Sequence, residues 1–169
     1  METKDFIRLA KLKKNKILSV YELFINLEDS FTLKKIIPNK NKRIKFLKEQ
    51  KIKFDSKEKW PNVLNPKYIS FPYNYVHTDV KELYLDILHE LTHCFQRKVE
   101  NINFKKQIMQ FEYYENPKEL EAYRLGWIQA KKIGMTKKEF TNYLIGNNFL
   151  NKNEKKLLIK NVFKYSRTK

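Results

Sequence analysis

Cysteine, glycine and arginine are scarce in this chain of 169 residues, which has one cysteine, three glycines and five arginines beside 31 lysines. The single Cys94 excludes an intramolecular disulfide and a cysteine-rich zinc cluster, and it is typical of a reducing compartment. No apolar run reaches the roughly 18 to 20 residues of a membrane-spanning helix. The first residues, METKDFIRLAKLKKNK, lack the apolar segment and cleavage site of a signal peptide. We therefore expect a cytoplasmic protein, in a host cytoplasm if a phage or virus encodes it, with no membrane partner.

The net charge of +17 is concentrated towards the two ends of the sequence. Residues 1–60 carry 17 basic and 8 acidic groups, residues 61–130 carry 8 and 9, and residues 131–169 carry 11 and 2. Such ends can bind nucleic acid or another polyanion through phosphate contacts. The low arginine content argues against specific base recognition. Two interpretations of the charge are left: non-specific binding of a polyanion, and a lysine-rich composition that serves no binding function.

The length and the 41% of apolar residues predict one folded domain over residues 1–169. We divide it into a basic helical N-terminal part (1–60), a catalytic core (61–133) and a basic helical C-terminal part (134–169). Apolar residues at helical spacing in KILSVYELFINLED predict short helices that pack in the first part. Prolines and alternating aromatics between residues 50 and 76 predict a small sheet.

Capping signals predict the helices of the remaining chain. Asp79 opens a long helix, and Asn116 with Pro117 opens a second one that Gly134 closes. Thr136 begins a third helix, and a stripe in NEKKLLIKNVFKY indicates a fourth. Together with the sheet, these elements predict a helix-rich α+β fold.

The segment LHELTHCFQ lies inside the first long helix and carries two of the three histidines, His89 and His93. Residues four apart on a helix project from one face, so both imidazoles can bind one zinc ion. Glu90 lies beside them, where it can act as the general base that takes a proton from zinc-activated water. The pattern predicts hydrolysis of peptide bonds with one Zn²⁺ as cofactor and a peptide or protein as substrate.

Catalytic zinc takes a third protein ligand, and the next helix offers two acidic candidates in NPKELEAY. Glu121 shares a face with Ala122 and Leu125, which we expect to pack towards the first helix. Glu119 lies three residues after Asn116 and can instead be a capping residue. We therefore prefer Glu121 as the ligand and keep Glu119 as the alternative.

The HELTH sequence, followed by the pair Glu121 and Ala122, resembles the HExxH zinc metallopeptidases (zincins), and among them the gluzincins. Small intracellular and phage-encoded members have a similar spacing. The resemblance covers about residues 67 to 133. It implies a zincin-like fold with a small sheet on the N-terminal side of an HExxH helix, a glutamate as third ligand, and a substrate-binding edge strand in KYISFPYNY.

Three further residues are candidates for roles around the metal. Asp86 can accept a hydrogen bond from a ligand histidine, or it can be a solvated surface residue. Tyr113 and Tyr114 can stabilise an oxyanion or simply pack. The alternative function is a basic module that binds nucleic acid or protein and whose zinc site is structural or vestigial.

Overall fold

The computed structural model describes residues 16–59, 61, 63, 68–98, 103, 106, 110–146 and 150–164. The start of the basic N-terminal part and most of the polar stretch at 100–107 lie outside the described residues. Among the described ones there are three strands, β1 (Ile17–Ser19), β2 (Lys51–Asp55) and β3 (Ile69–Pro72). The helices are α1 (Phe31–Ile36), α2 (Lys40–Glu49), α3 (Val80–Lys98), α4 (Pro117–Lys132), α5 (Lys137–Ile145) and α6 (Lys152–Lys164). The expected helix-rich α+β class is confirmed.

The strands form one sheet in the order β1-β2-β3. β1 pairs antiparallel with β2, with Leu18 opposite Ile52, and β3 pairs parallel with β2, with Phe71 opposite Phe54. The inner face is apolar, since Ile52, Phe54 and Phe71 are fully buried. The sheet predicted between residues 50 and 76 is therefore present.

The prediction of short helices in KILSVYELFINLED is wrong, although most of the apolar side chains expected to pack there are buried. The stretch forms β1 and the 3-10 turns Val20–Glu22 and Leu27–Asp29, and Asn26 between them has a φ of 57°, which interrupts any helix. Backbone pairing with β2 and the turns bury the apolar side chains that the helix was expected to bury. These are Val20, Leu23, Phe24 and Leu27, whereas Ile17 is exposed.

α3 is the central helix, with buried side chains on all sides from Leu83 to Cys94. α4 packs along it, α1 lies against both, and α6 packs on α4 and α5. The predicted caps are present: the side chain of Asn116 accepts from the Lys118 amide, and Thr136 and Glu139 form a capping box. Gly134, with a φ of 77°, lets Met135 N–H donate to Ala130 O and end α4. No helix in the described part of the chain is both long and apolar enough to cross a bilayer.

Candidate metal centre

His89 and His93 lie one turn apart on α3 and turn their Nε2 atoms towards each other. The two atoms are 2.9 Å apart, and both side chains are buried. The rings meet edge to face with centroids 4.6 Å apart. The structure therefore brings together the histidine pair that the HExxH spacing selects.

The third group at this point is Glu119, from the first turn of α4. Its Oε2 lies 3.2 Å from His89 Nε2, and its Oε1 lies 3.3 Å from His93 Nε2. Glu121, which the sequence analysis preferred, is not brought to the histidines. Its Oε2 accepts hydrogen bonds from Gln96 Nε2 and from Lys118 Nζ, and its side chain is 42% exposed, against 13% for Glu119. The order of the two candidates is thus reversed.

Two features of α4 explain this reversal. Residues two apart on a helix project in directions about 160° apart, so Glu119 and Glu121 contact different residues of α3. Glu119 reaches His89 and His93, whereas Glu121 reaches Gln96. Burial does not identify the side of α4 that faces α3, because α4 has buried residues around most of its circumference. The Asn116 side chain caps α4 through Lys118 N, which leaves the Glu119 carboxylate available to α3.

The donor set fits a divalent zinc ion. Two imidazole nitrogens and one carboxylate are a ligand set of catalytic zinc sites, and with bonds of about 2.0–2.1 Å the ligand atoms of a tetrahedral site lie about 3.3 Å apart. The closest separations here are 2.9, 3.2 and 3.3 Å. Ligand atoms from all three residues fall within 4.8 Å of one another.

Gln96 lies behind His93 and contacts its second ring nitrogen. His93 Nδ1 lies 2.9 Å from Gln96 Oε1, and Gln96 is only 1% exposed. An amide oxygen only accepts, so Nδ1 carries the proton and, in the neutral ring, the Nε2 lone pair faces His89 and Glu119. Gln96 was not predicted as a partner of His93, although it shares the ligand face at three residues from His93 and seven from His89.

His89 is held by packing rather than by the predicted partner. Its ring lies against that of Tyr123, with centroids 4.4 Å apart. Within the described part of the chain, its buried Nδ1 has no hydrogen-bond partner. For Asp86 the sequence left open this role and that of a solvated surface residue, and its carboxylate instead accepts a hydrogen bond of 2.7 Å from the Tyr143 hydroxyl. This bond turns the carboxylate of Asp86 towards α5.

The two candidate tyrosines differ in their location. The Tyr113 hydroxyl lies 2.8 Å from that of Tyr123, whose ring contacts His89 at a tilt, so Tyr113 lies at the edge of the histidine cluster. Burial and then the Tyr123 hydroxyl and the Glu119 charge raise the pKa of Tyr113, which keeps its hydroxyl protonated. Tyr114 instead contacts α6, where its carbonyl accepts from Asn161 Nδ2.

The cluster is strongly coupled electrostatically. Burial alone would lower the pKa of His93, but the charge and hydrogen bond of Glu119 outweigh it and raise this pKa to about 9. Burial and the neighbouring His93 charge lower the pKa of His89. Burial opposes the charged form of Glu119, yet the two histidines hold the pKa of its carboxyl well below the usual range. Glu119 is therefore anionic at neutral pH.

Glu90 lies next to His89 on α3 and is 8% exposed. Burial raises the pKa of its carboxyl to about 8, against the opposing charge of His93 and with support from the charges of Glu119 and Asp86. Within the described residues, its carboxyl group makes no hydrogen bond. Glu90 is thus a buried carboxyl group beside the histidine pair, with a pKa in the range that suits proton transfer at neutral pH.

Away from this cluster, α2 presents several basic side chains to solvent. Four lysines of α2 are exposed, namely Lys40, Lys42, Lys45 and Lys48. The arginine of α2 is structural, because Arg43 is buried and donates to the carbonyls of Glu28, Ile37 and Pro38. The arrangement suits loose contact with a polyanion more than bidentate recognition, so polyanion binding stays a prediction.

Comparisons of this chain with protein-family models, with curated proteins and with solved structures find no match.

Proposed function

We propose that the protein is a zinc-dependent metallopeptidase. The observation that carries this proposal is the convergence of His89 Nε2, His93 Nε2 and the Glu119 carboxylate, with the buried Glu90 beside them. His89, His93 and Glu119 would hold one zinc ion. The ion would supply Lewis-acid polarisation of a peptide carbonyl and a lowered pKa of water. The HELTH segment and its resemblance to gluzincins support the same assignment.

The proton transfers fall to Glu90. In the proposed mechanism its carboxylate takes a proton from the attacking water and later gives it to the leaving amine nitrogen. Its pKa of about 8 makes both transfers accessible near neutral pH, and the positive charge of a bound ion would favour the carboxylate that starts the cycle. Burial keeps competing bulk water away from the carboxyl group.

The substrate strand implied by the gluzincin resemblance would be β3. Among the described residues, β3 is an edge strand of the sheet, so its outer side can pair with an extended peptide. The chain continues from Phe71 to Tyr75, whose rings are in contact at 5.5 Å between centroids. Burial first, and then the charges of Asp86 and Glu90, raise the pKa of Tyr75, so the Tyr75 hydroxyl lies within electrostatic range of these two carboxyl groups of α3.

Removal of the metal should abolish hydrolysis. We expect a peptide-library digest that includes unfolded, casein-like substrates to show cleavage by the zinc-loaded protein. A chelator should stop this cleavage, and one equivalent of zinc should restore it, because no described side chain replaces the electrophile. Cleavage that persists after zinc has been removed, as verified by metal analysis, would contradict the proposal.

Zinc affinity should rise with pH and then level off near pH 9. His93 has a pKa of about 9 without metal, so below this pH its proton must leave before Nε2 can bind zinc. Apparent affinity should therefore increase about tenfold per pH unit below pH 9 from this group alone. The pKa of His89 is lowered, so this ring is already neutral at pH 7. Competition titrations with a chelator of known affinity check this, and a flat profile between pH 7 and 8.5 would contradict it.

A further inference from the structure

We propose that Gln96 and Glu121 are positioning residues that fix the tautomer and ring orientation of His93 for metal binding. This inference rests on the proposed zinc centre and assigns a role to two residues outside it. Three groups form a continuous hydrogen-bonded chain. His93 Nδ1 lies 2.9 Å from Gln96 Oε1, and Gln96 Nε2 donates to Glu121 Oε2 at 2.9 Å.

The direction of this chain follows from its outer end. The Glu121 carboxylate only accepts hydrogen bonds, so the Gln96 amide must turn its NH₂ group towards it. A second acceptor, the carbonyl of Lys118 at 3.4 Å from Gln96 Nε2, requires the same orientation. The Gln96 oxygen then faces His93 and requires a proton on Nδ1, so in the neutral ring the lone pair is on Nε2, the atom directed at His89 and Glu119.

The surroundings separate this role from ordinary packing. Gln96 is 1% exposed, and a buried amide is favourable only where its hydrogen bonds are made. The Glu121 side chain is 42% exposed and contributes little to the core, yet its carboxylate is held 3.3 Å from Lys118 Nζ. Glu121 lies two residues after Glu119 at the start of α4. The same turn therefore provides the ligand Glu119 and the residue that holds Gln96 against His93.

The test compares zinc affinity with the stability of the metal-free protein. Gln96→Leu keeps the size of the side chain but removes the acceptor, and we expect it to weaken zinc binding about 10–100-fold, as is usual for partners of ligand histidines. Gln129→Leu is the matched control, because Gln129 is a fully buried glutamine that bonds Phe31 N and the Tyr84 hydroxyl. It should lower the unfolding temperature without changing zinc affinity by more than about threefold.

Exchanging the side chains at positions 96 and 121 should restore zinc affinity. Gln96→Glu alone places two carboxylates face to face, which should weaken zinc binding. Glu121→Gln alone keeps an acceptor oxygen for the Gln96 amide, and the Lys118 carbonyl still requires the same orientation, so its effect should be smaller. The double variant restores an acceptor at His93 and a donor behind it, so its affinity should return to within about threefold of the wild type.

The outcomes separate the two proposals. If the wild type takes up no zinc, the proposed function fails and this inference fails with it. If the wild type binds zinc and Gln96→Leu binds it equally well, or if Gln129→Leu weakens binding as much, only the positioning role is overturned. A double variant that binds zinc no better than Gln96→Glu alone would also overturn it.

Discussion

Replacement of Glu90 by glutamine is expected to abolish peptide hydrolysis while zinc content and fold are preserved. Glu90 is not among the groups that converge as ligands, and glutamine has the same shape, so the centre should stay loaded. The amide cannot accept and return a proton at neutral pH. The loss in kcat should be at least the 10²–10⁴-fold that is typical of a general acid–base group, because one carboxylate is assigned two transfers. The measurement is a digest at equal zinc content.

Glu82→Gln is the control for this experiment. Glu82 lies on the same helix two turns earlier and is half-buried, and burial also raises the pKa of its carboxyl. This variant should retain nearly full activity, which would assign the loss to Glu90 itself. Equal cleavage by wild type and Glu90→Gln would exclude Glu90 as the base.

The second large effect is expected for Glu119→Ala, which should weaken zinc binding more than any change outside the ligand set. Two histidines alone hold the ion poorly. The loss of zinc affinity should therefore exceed about 100-fold, the largest loss that is usual for residues that only hydrogen-bond to a ligand. Glu121→Ala should weaken binding less, because that carboxylate lies behind Gln96. His89→Ala and His93→Ala should resemble Glu119→Ala. Competition titration with a chelator measures all four variants.

Stability must be separated from metal binding in this series. Asn116→Ala removes the cap of α4 without touching the ligands, and it should cost about 1 kcal/mol of stability with zinc affinity nearly unchanged. If Glu121→Ala lost zinc and Glu119→Ala kept it, the third ligand would be Glu121 as the sequence pattern suggested.

Local signals predicted the long helices well. Asn116, Gly134 and the pair Thr136 and Glu139 act through the backbone within one turn, so their effect can be read from a few neighbouring residues. The histidine pair depends equally on local spacing, because a helix places residues four apart on one face. These parts of the account needed no tertiary information.

The remaining features depend on contacts between elements. The apolar spacing from Val20 to Leu27 is compatible with a helix. The 3-10 turns and the pairing of β1 with β2 bury the same side chains equally well. The choice between Glu119 and Glu121 depends on how α4 is rotated against α3, and a helix buried on most sides gives no single apolar face to show this. The role of Gln96 requires both helices, since its amide joins His93 on α3 to Glu121 on α4.

Anomalous diffraction from crystals of the zinc-loaded protein, recorded on both sides of the zinc absorption edge, would locate the metal ion among its ligands. We expect one strong zinc peak, about 2.0–2.2 Å from His89 Nε2, His93 Nε2 and a carboxylate oxygen of Glu119. A peak bound by other residues, or no peak at these three atoms in protein that contains one zinc per chain, would contradict it.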